Sequence, residues 1–184
     1  MFNRIYLLSI CLLAVIIFPQ AVLAQDAPNP LKIAVVDVEK IISESSAGKS
    51  IQTQLAQSRE SFQKEFAGRE NELMQAQKKL VQEKKDITAE EFAQKRQNFE
   101  KQLLETRNLF QKRRSSLDKG LGMALSSLRK NIIQVTAEVA DEGKFQVVLT
   151  RSSVVVIQKE MDITDAVLSR LNKKISSINL NVGK

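Results

Sequence analysis

The sequence predicts an α+β fold in which a long antiparallel α-helical coiled-coil hairpin projects from a small β-sheet oligomerisation body. Three observations predict it. Short β-branched runs lie only towards the two ends of the chain. A stretch of about a hundred residues without proline separates them, rich in the helix formers Gln, Lys, Glu, Leu and Ala. Apolar residues recur in that stretch at intervals of three, four and seven, which is typical of a coiled-coil seam.

The chain begins with a pattern typical of a secretory signal peptide. Arg4 supplies a positive charge ahead of an apolar run over residues 5–18, and Val22 and Ala24 stand where signal peptidase reads small residues. We therefore expect residues 1–24 to be removed and the mature chain to be exported. An uncleaved membrane anchor is disfavoured, because a span needs about 20 apolar residues.

The composition of the mature chain excludes several kinds of chemistry. Residues 25–184 contain no Cys, His, Trp or Tyr. Zinc sites of the usual type and the familiar nucleophile–base pairs are therefore missing. Carboxylate pairs such as Asp162 with Asp165 stand where helix caps belong. We expect no enzyme activity, no cofactor and no metal.

The predicted body is discontinuous and comprises residues 25–42 and 142–184. Strands are expected at 33–38, at 145–150 and, after a turn, at 154–157, because these runs are rich in β-branched and aromatic residues. Asp162 is expected to cap a short amphipathic helix with Ile163, Val167, Leu168 and Leu171 on its apolar side.

The predicted arm covers residues 43–141, with its tip near 84–89. Thr88 followed by Glu91 forms a capping box, so a second helix should begin there and run back along the first. The apolar seam is the set Leu55, Phe62, Phe66, Leu73, Leu80, Phe92, Phe99, Leu103, Phe110, Leu117, Leu121, Leu128, Ile132, Val135 and Val139.

We expect the protein to form oligomers, because a single chain can bury little apolar surface. A two-helix arm has a single seam, and so few strands do not make a stable sheet by themselves. We expect other copies of the chain to complete the sheet. The candidate oligomerisation residues alternate along the predicted strands: Ile33, Val35, Val147, Leu149, Val155 and Ile157.

The arm also carries the candidate binding residues. Residues 49–119 hold 16 basic and 11 acidic side chains, so most of the net charge of +6 of the mature chain lies there. This excess suggests an acidic partner, and export disfavours nucleic acid. A thin arm cannot cover every aromatic ring. The candidates are Phe62, Phe66, Phe92, Phe99, Lys78, Lys79, Lys84, Lys85, Lys95 and Arg96.

One stretch superficially suggests nucleotide binding. Gly48-Lys49-Ser50 follows a strand and opens a helix, but Ser43 stands where a phosphate-binding loop requires glycine. We interpret Gly48 as part of a helix start instead.

Four segments together resemble the Skp/OmpH family. They are Lys32-Ile33-Ala34-Val35-Val36-Asp37, Ser46-Ala47-Gly48-Lys49, Phe145-Gln146-Val147-Val148-Leu149, and Asp162-Ile163-Thr164-Asp165-Ala166-Val167-Leu168 through Leu171-Asn172. They occur in the family's order and extend over nearly the whole mature chain.

The resemblance implies an ATP-independent periplasmic holdase chaperone that binds unfolded outer-membrane β-barrel proteins and prevents their aggregation. It also implies a jellyfish-like homotrimer, with anionic lipid or lipopolysaccharide as a further partner for which we assign no site. The alternative is a non-enzymatic coiled-coil adaptor or spacer that binds one folded periplasmic partner. Neither interpretation includes nucleic acid.

Overall fold

The computed structural model describes residues 31–181. The predicted signal peptide lies outside these residues. Within these residues, four helices and two strands follow one another, with 3₁₀ turns at Arg151–Ser153 and Lys159–Met161. The elements are β1 (Ile33–Val36), α1 (Val38–Glu44), α2 (Ser46–Glu83), α3 (Ala89–Gly143), β2 (Val147–Thr150) and α4 (Thr164–Lys174).

The two strands form a parallel pair although 110 residues separate them. Ile33 lies opposite Val147, and Val36 lies opposite Thr150. Parallel strands need a long crossover connection, and here α1, α2 and α3 together provide it. The Ile163 N–H donates to the Val35 carbonyl at 2.9 Å, so the chain returns to β1 just before α4.

The third predicted strand is wrong for this chain. Residues 154–157 are irregular, and no other described strand lies beside them. The Val155 side chain is 93% exposed. β-branched residues favour a strand mainly through packing on a pleated surface, and the described residues offer this segment no such surface.

The core lies where the roots of α2 and α3 meet α1, α4 and β1. Leu128, Ile132 and Val135 on α3 are almost wholly buried, which confirms this part of the predicted seam. The buried cluster consists of Ala34, Val36, Ile41, Ala47, Ile51, Ala124, Leu128, Ile132, Val135, Ile163, Val167, Leu171 and Leu180.

The first helical region is interrupted at Ser45, where the sequence predicted the start of one continuous helix near Ser43. Ser45 has an extended backbone (φ −65°, ψ 151°), and its buried hydroxyl accepts from the Gly48 N–H at 3.1 Å. A serine side chain that bonds its local backbone competes with helix continuation. α1 therefore ends at Glu44, and α2 begins at Ser46.

Charged pairs link α4 to the last turns of α3, beside the buried contacts of Val167 and Leu171. The Arg170 guanidinium donates two hydrogen bonds to Glu142, at 2.6 and 2.7 Å, and the Lys174 ammonium lies 2.6 Å from Glu138. The hydrogen bond from Arg170 lowers the pKa of the Glu142 carboxyl. α4 begins at Thr164, one residue later than expected, and the Asp162 carboxylate accepts from the Thr164 N–H at 2.9 Å.

The two long helices run antiparallel away from this core. Phe62 on α2 contacts Phe110 on α3, and further out Glu83 on α2 pairs with Lys95 on α3. The chain turns at residues 84–88, and both reciprocal hydrogen bonds of the predicted Thr88 capping box are present. None of the described residues from 52 to 119 is buried. We call residues 52–119 the arm.

Candidate functional site

Three aromatic rings form a cluster on the arm, in which Phe66 is exposed and Phe62 and Phe110 are half-buried. Phe110 lies edge-on to Phe62 and to Phe66, with ring centroids 5.4 and 4.4 Å apart. Beside the rings is an open cavity of about 450 Å³, also lined by the amide side chains Gln63 and Gln111 and by Arg114. The structure thus brings Phe62 and Phe66 together around Phe110. We call this the aromatic groove.

Phe110 was missing from the predicted binding residues although the seam pattern included it. Its place opposite Phe62 and Phe66 depends on the register between α2 and α3. The turn at 84–88 sets that register. The position of the turn in the sequence could therefore have indicated that Phe110 lies opposite Phe62 and Phe66.

Phe92 and Phe99 lie apart from the aromatic groove, nearer the tip. The Lys84 ammonium lies 5.7 Å from the Phe92 ring centroid, within the range of a cation–π contact. Phe99 lines a smaller cavity of about 210 Å³ together with Lys79, Glu83 and Lys95. Phe62 and Phe66 therefore share one cluster, whereas Phe92 and Phe99 have separate surroundings.

Half of the predicted cations have acidic partners. Lys79 and Lys95 both approach Glu83, and Arg96 lies 3.5 Å from Glu100. The hydrogen bond from Lys95 lowers the pKa of the Glu83 carboxyl. Ion pairs this exposed contribute little to stability.

The other three cations form no ion pair within residues 31–181. They are Lys78, Lys84 and Lys85, and all three are exposed. They lie at the outer end of α2 and in the turn that follows it. Positive charge near the tip is therefore available to an acidic partner.

A second cavity lies at the root of the arm and was not predicted. It measures about 780 Å³ and runs between α2 and α3 from Leu180 to Phe62. Leu117 adds apolar surface, and Arg113 and Glu65 approach to 3.9 Å on its wall. We call this the root groove. Sequence reasoning missed it because Leu180 and Gln54 meet across 126 residues.

The predicted oligomerisation residues have different environments. Val35 is only 1% exposed within its own chain, and Ile33 and Ile157 are half-buried. By contrast, Val147 and Leu149 on β2 remain more than a third exposed.

One exposed apolar residue was missed beside the predicted set. Val156 is 82% exposed and stands next to Val155 in the irregular segment. The alternation expected of a strand excluded Val156 from the prediction, and that alternation does not apply to an irregular segment.

Gly48 does not form a phosphate-binding loop. It lies inside α2, and its N–H donates to the Ser45 side chain. The described part of the chain contains no cluster of three or more acidic residues that could hold a metal ion. Among residues 31–181, no helix has both the length and the hydrophobicity to cross a membrane.

Comparison with known proteins bears out the resemblance. No curated protein matches the chain. The structure of a candidate OmpH-like outer membrane chaperone from Caulobacter crescentus is similar to it, with a TM-score of 0.79 and 21% identity over 86% of this chain and 94% of that one. The profile of the OmpH family, described as outer membrane protein (OmpH-like), matches residues 32–171. The chain therefore belongs to the OmpH-like family.

Proposed function

We propose that this protein is an ATP-independent holdase chaperone that binds unfolded outer-membrane β-barrel proteins in the periplasm and prevents their aggregation. Membership of the OmpH-like family supports a chaperone role. In this proposal residues 1–24 direct export and are removed, residues 43–141 bind the client, and residues 25–42 and 142–184 join the copies.

The observation that carries the proposal is the arm without a buried residue. Its aromatic rings stay accessible because a single pair of helices cannot enclose them. Exposed apolar surface of this kind is typical of sites that bind other polypeptides. An unfolded chain offers many apolar segments, so several weak contacts along the arm can add up to useful avidity without nucleotide.

Electrostatic attraction would draw an acidic client towards the arm before the two touch. The basic excess of residues 49–119 is +5, and Lys78, Lys84 and Lys85 carry charge that no described carboxylate neutralises. Such a field raises the rate of encounter with an acidic client and weakens as salt shortens the Debye length to about 10 Å at 0.1 M.

A homotrimer fits the exposed edge of the body. Within residues 31–181, Val147 and Leu149 expose apolar surface on a two-stranded sheet, and Val155 and Val156 expose more in the irregular segment that follows. Two strands alone are marginal in water. We propose that neighbouring copies cover this apolar surface. Three arms would then surround one client.

Light scattering tests the proposal directly. An outer-membrane β-barrel protein is diluted from urea with and without the mature chain, and without nucleotide. We expect suppression that saturates near one trimer per client. Aggregation that continues at a large excess of the chain would instead favour the adaptor or spacer, with one folded partner.

Charge reversal tests the role of the arm. Changing Lys78, Lys79, Lys84 and Lys85 to Glu takes the charge of residues 49–119 from +5 to −3. Capture at low salt should slow, and the oligomer should stay intact by sedimentation.

A matched control reverses four exposed cations outside residues 43–141: Lys144, Arg151, Lys159 and Lys173. Equal slowing by both sets would assign the attraction to total charge. No slowing by either set would contradict electrostatic capture.

A further inference from the structure

The chain continues past the family match as an extended segment. The match ends at residue 171, and residues 175–180 leave α4 without forming a helix or strand. Ile175 and Ile178 pack against the core cluster, and Leu180 is 7% exposed. We call residues 175–180 the strap. It docks on the first turns of α2.

Gln54 holds the strap by its backbone. The Gln54 side-chain amide donates to the Ile178 carbonyl at 2.8 Å, and its oxygen accepts from the Leu180 N–H at 2.9 Å. One residue of a parallel neighbouring strand would bond these same two groups. The amide nitrogen also donates to the Ser50 hydroxyl at 3.0 Å, which orients it.

The contacts that hold the strap do not depend on the polar side chains of the strap itself. Ile178 and Leu180 point inward, whereas Asn179 and Asn181 are exposed, which is the alternation of an extended chain. The polar bonds from Gln54 go to main-chain atoms that every residue except proline carries. Any extended segment with apolar residues two apart could therefore make the same contacts.

The docked strap ends in the root groove. Leu180 lines one end, and the groove continues to Phe62, past Leu117 and Arg114. About 780 Å³ of the groove stays open while the strap is docked. A longer segment could therefore bind at Gln54 and extend towards the aromatic groove, which shares Phe62 and Arg114.

We propose that the root groove is a binding site for extended apolar polypeptide segments and that the strap holds its Gln54 end until a client segment replaces it. The client half of this inference rests on the proposed function. A tethered strap competes at an effective concentration of about 1 mM. It therefore excludes short peptides and gives way to an unfolded chain that also binds the arm at other points.

A labelled peptide tests the site in the full-length mature protein. The probe is a fluorescent peptide with the sequence of residues 175–181, and binding is followed by anisotropy. Leu180→Asp weakens the strap and should allow saturable binding of the peptide. The wild-type protein should bind it at least about tenfold more weakly, because the tethered strap competes.

The interaction with Gln54 is tested in the same titration. Adding Gln54→Ala to the Leu180→Asp protein should weaken binding about five- to tenfold, because two backbone hydrogen bonds are lost. A peptide with Asp at the position of Leu180 is the matched control and should not bind. Circular dichroism checks folding, and Ile178→Asp replaces Leu180→Asp if that variant does not fold.

A competition step tests the client. An outer-membrane β-barrel protein diluted from urea should displace the bound peptide. A folded Leu180→Asp protein that binds neither peptide, or both equally, would overturn the site. A client that stays soluble yet leaves the peptide bound would mean that clients do not replace the strap, which would then only stabilise the root of the arm.

Failure of the proposed function would be distinguishable from these outcomes. It would show as client aggregation that the wild-type protein does not suppress, while the peptide still binds the folded Leu180→Asp protein and the control peptide does not.

Discussion

Replacing Gly48 by alanine tests the close contact between α1 and α2. A β-carbon at Gly48 would lie 1.8 Å from the Ile42 carbonyl oxygen and 2.9 Å from its carbon. Reaching even 3.0 Å from that oxygen requires a shift of at least 1.2 Å. The obstacle is backbone, so no rotamer change can relieve it. α1 would have to move off α2.

The expected effect is a loss of stability with a calculable size. Overpacking of this kind costs about 3 kcal/mol at the upper end of its usual range. Alanine recovers about 1 kcal/mol over glycine inside a helix. The net destabilisation is therefore about 2 kcal/mol. Gly122→Ala is the matched control, because Gly122 is exposed in α3 with no heavy atom within 4 Å of its β-carbon position. It should stabilise by about 1 kcal/mol.

Urea unfolding followed by far-UV circular dichroism measures both variants. Protein concentration must be held fixed, because subunit association contributes to apparent stability. The two variants should differ by about 3 kcal/mol in their free energy of unfolding. If that free energy falls by about 2 kcal/mol per molar urea, their unfolding midpoints should differ by about 1.5 M. A Gly48→Ala protein as stable as the wild type would refute the close approach of Ile42.

Three further predictions concern single groups. Lys144 ends α3 with a left-handed backbone (φ 53°), so Lys144→Gly should stabilise by about 1 kcal/mol in the same urea assay, and a loss would contradict the assigned conformation. The Thr136 hydroxyl is buried without a partner among the described residues. Thr136→Val should therefore stabilise by about 1 kcal/mol, and destabilisation would reveal a partner, for example from another copy. Hydrogen bonds from the backbone and side chain of Thr88 lower the pKa of Glu91. Their stabilising effect is therefore present above the ordinary carboxyl pKa of about 4.3 and is lost as pH falls through the lowered value. Amide exchange in the first turn of α3 should accelerate on acidification, and the same acid response in Glu91→Gln would rule out the capping box as its source.

The features that the sequence predicted correctly are local ones. The capping box at Thr88 joins residues three apart, so its pattern is visible in the sequence. The apolar repeat along the helices is likewise a short-range pattern, and it correctly placed Leu128 and Ile132 in the core. The resemblance to the OmpH-like family is confirmed by the profile match.

The features that the sequence did not predict depend on contacts between distant residues or on competing local bonds. Ser45 interrupts the first helix because its hydroxyl bonds a nearby N–H, and a single serine gives little indication of this. Val155 is of a residue type that favours strands, but no neighbouring strand lies beside it within residues 31–181. The root groove requires Leu180 to reach Gln54 from the far end of the chain.

An arm without buried residues can change its length during evolution. Its outer part makes no contact with the core cluster, and the turn at 84–88 depends on its own capping box. Inserting seven residues into each helix would keep the seam in phase and lengthen the arm by about 10 Å. Arm length is thus free to drift between relatives, while close contacts such as that between Gly48 and Ile42 constrain the root.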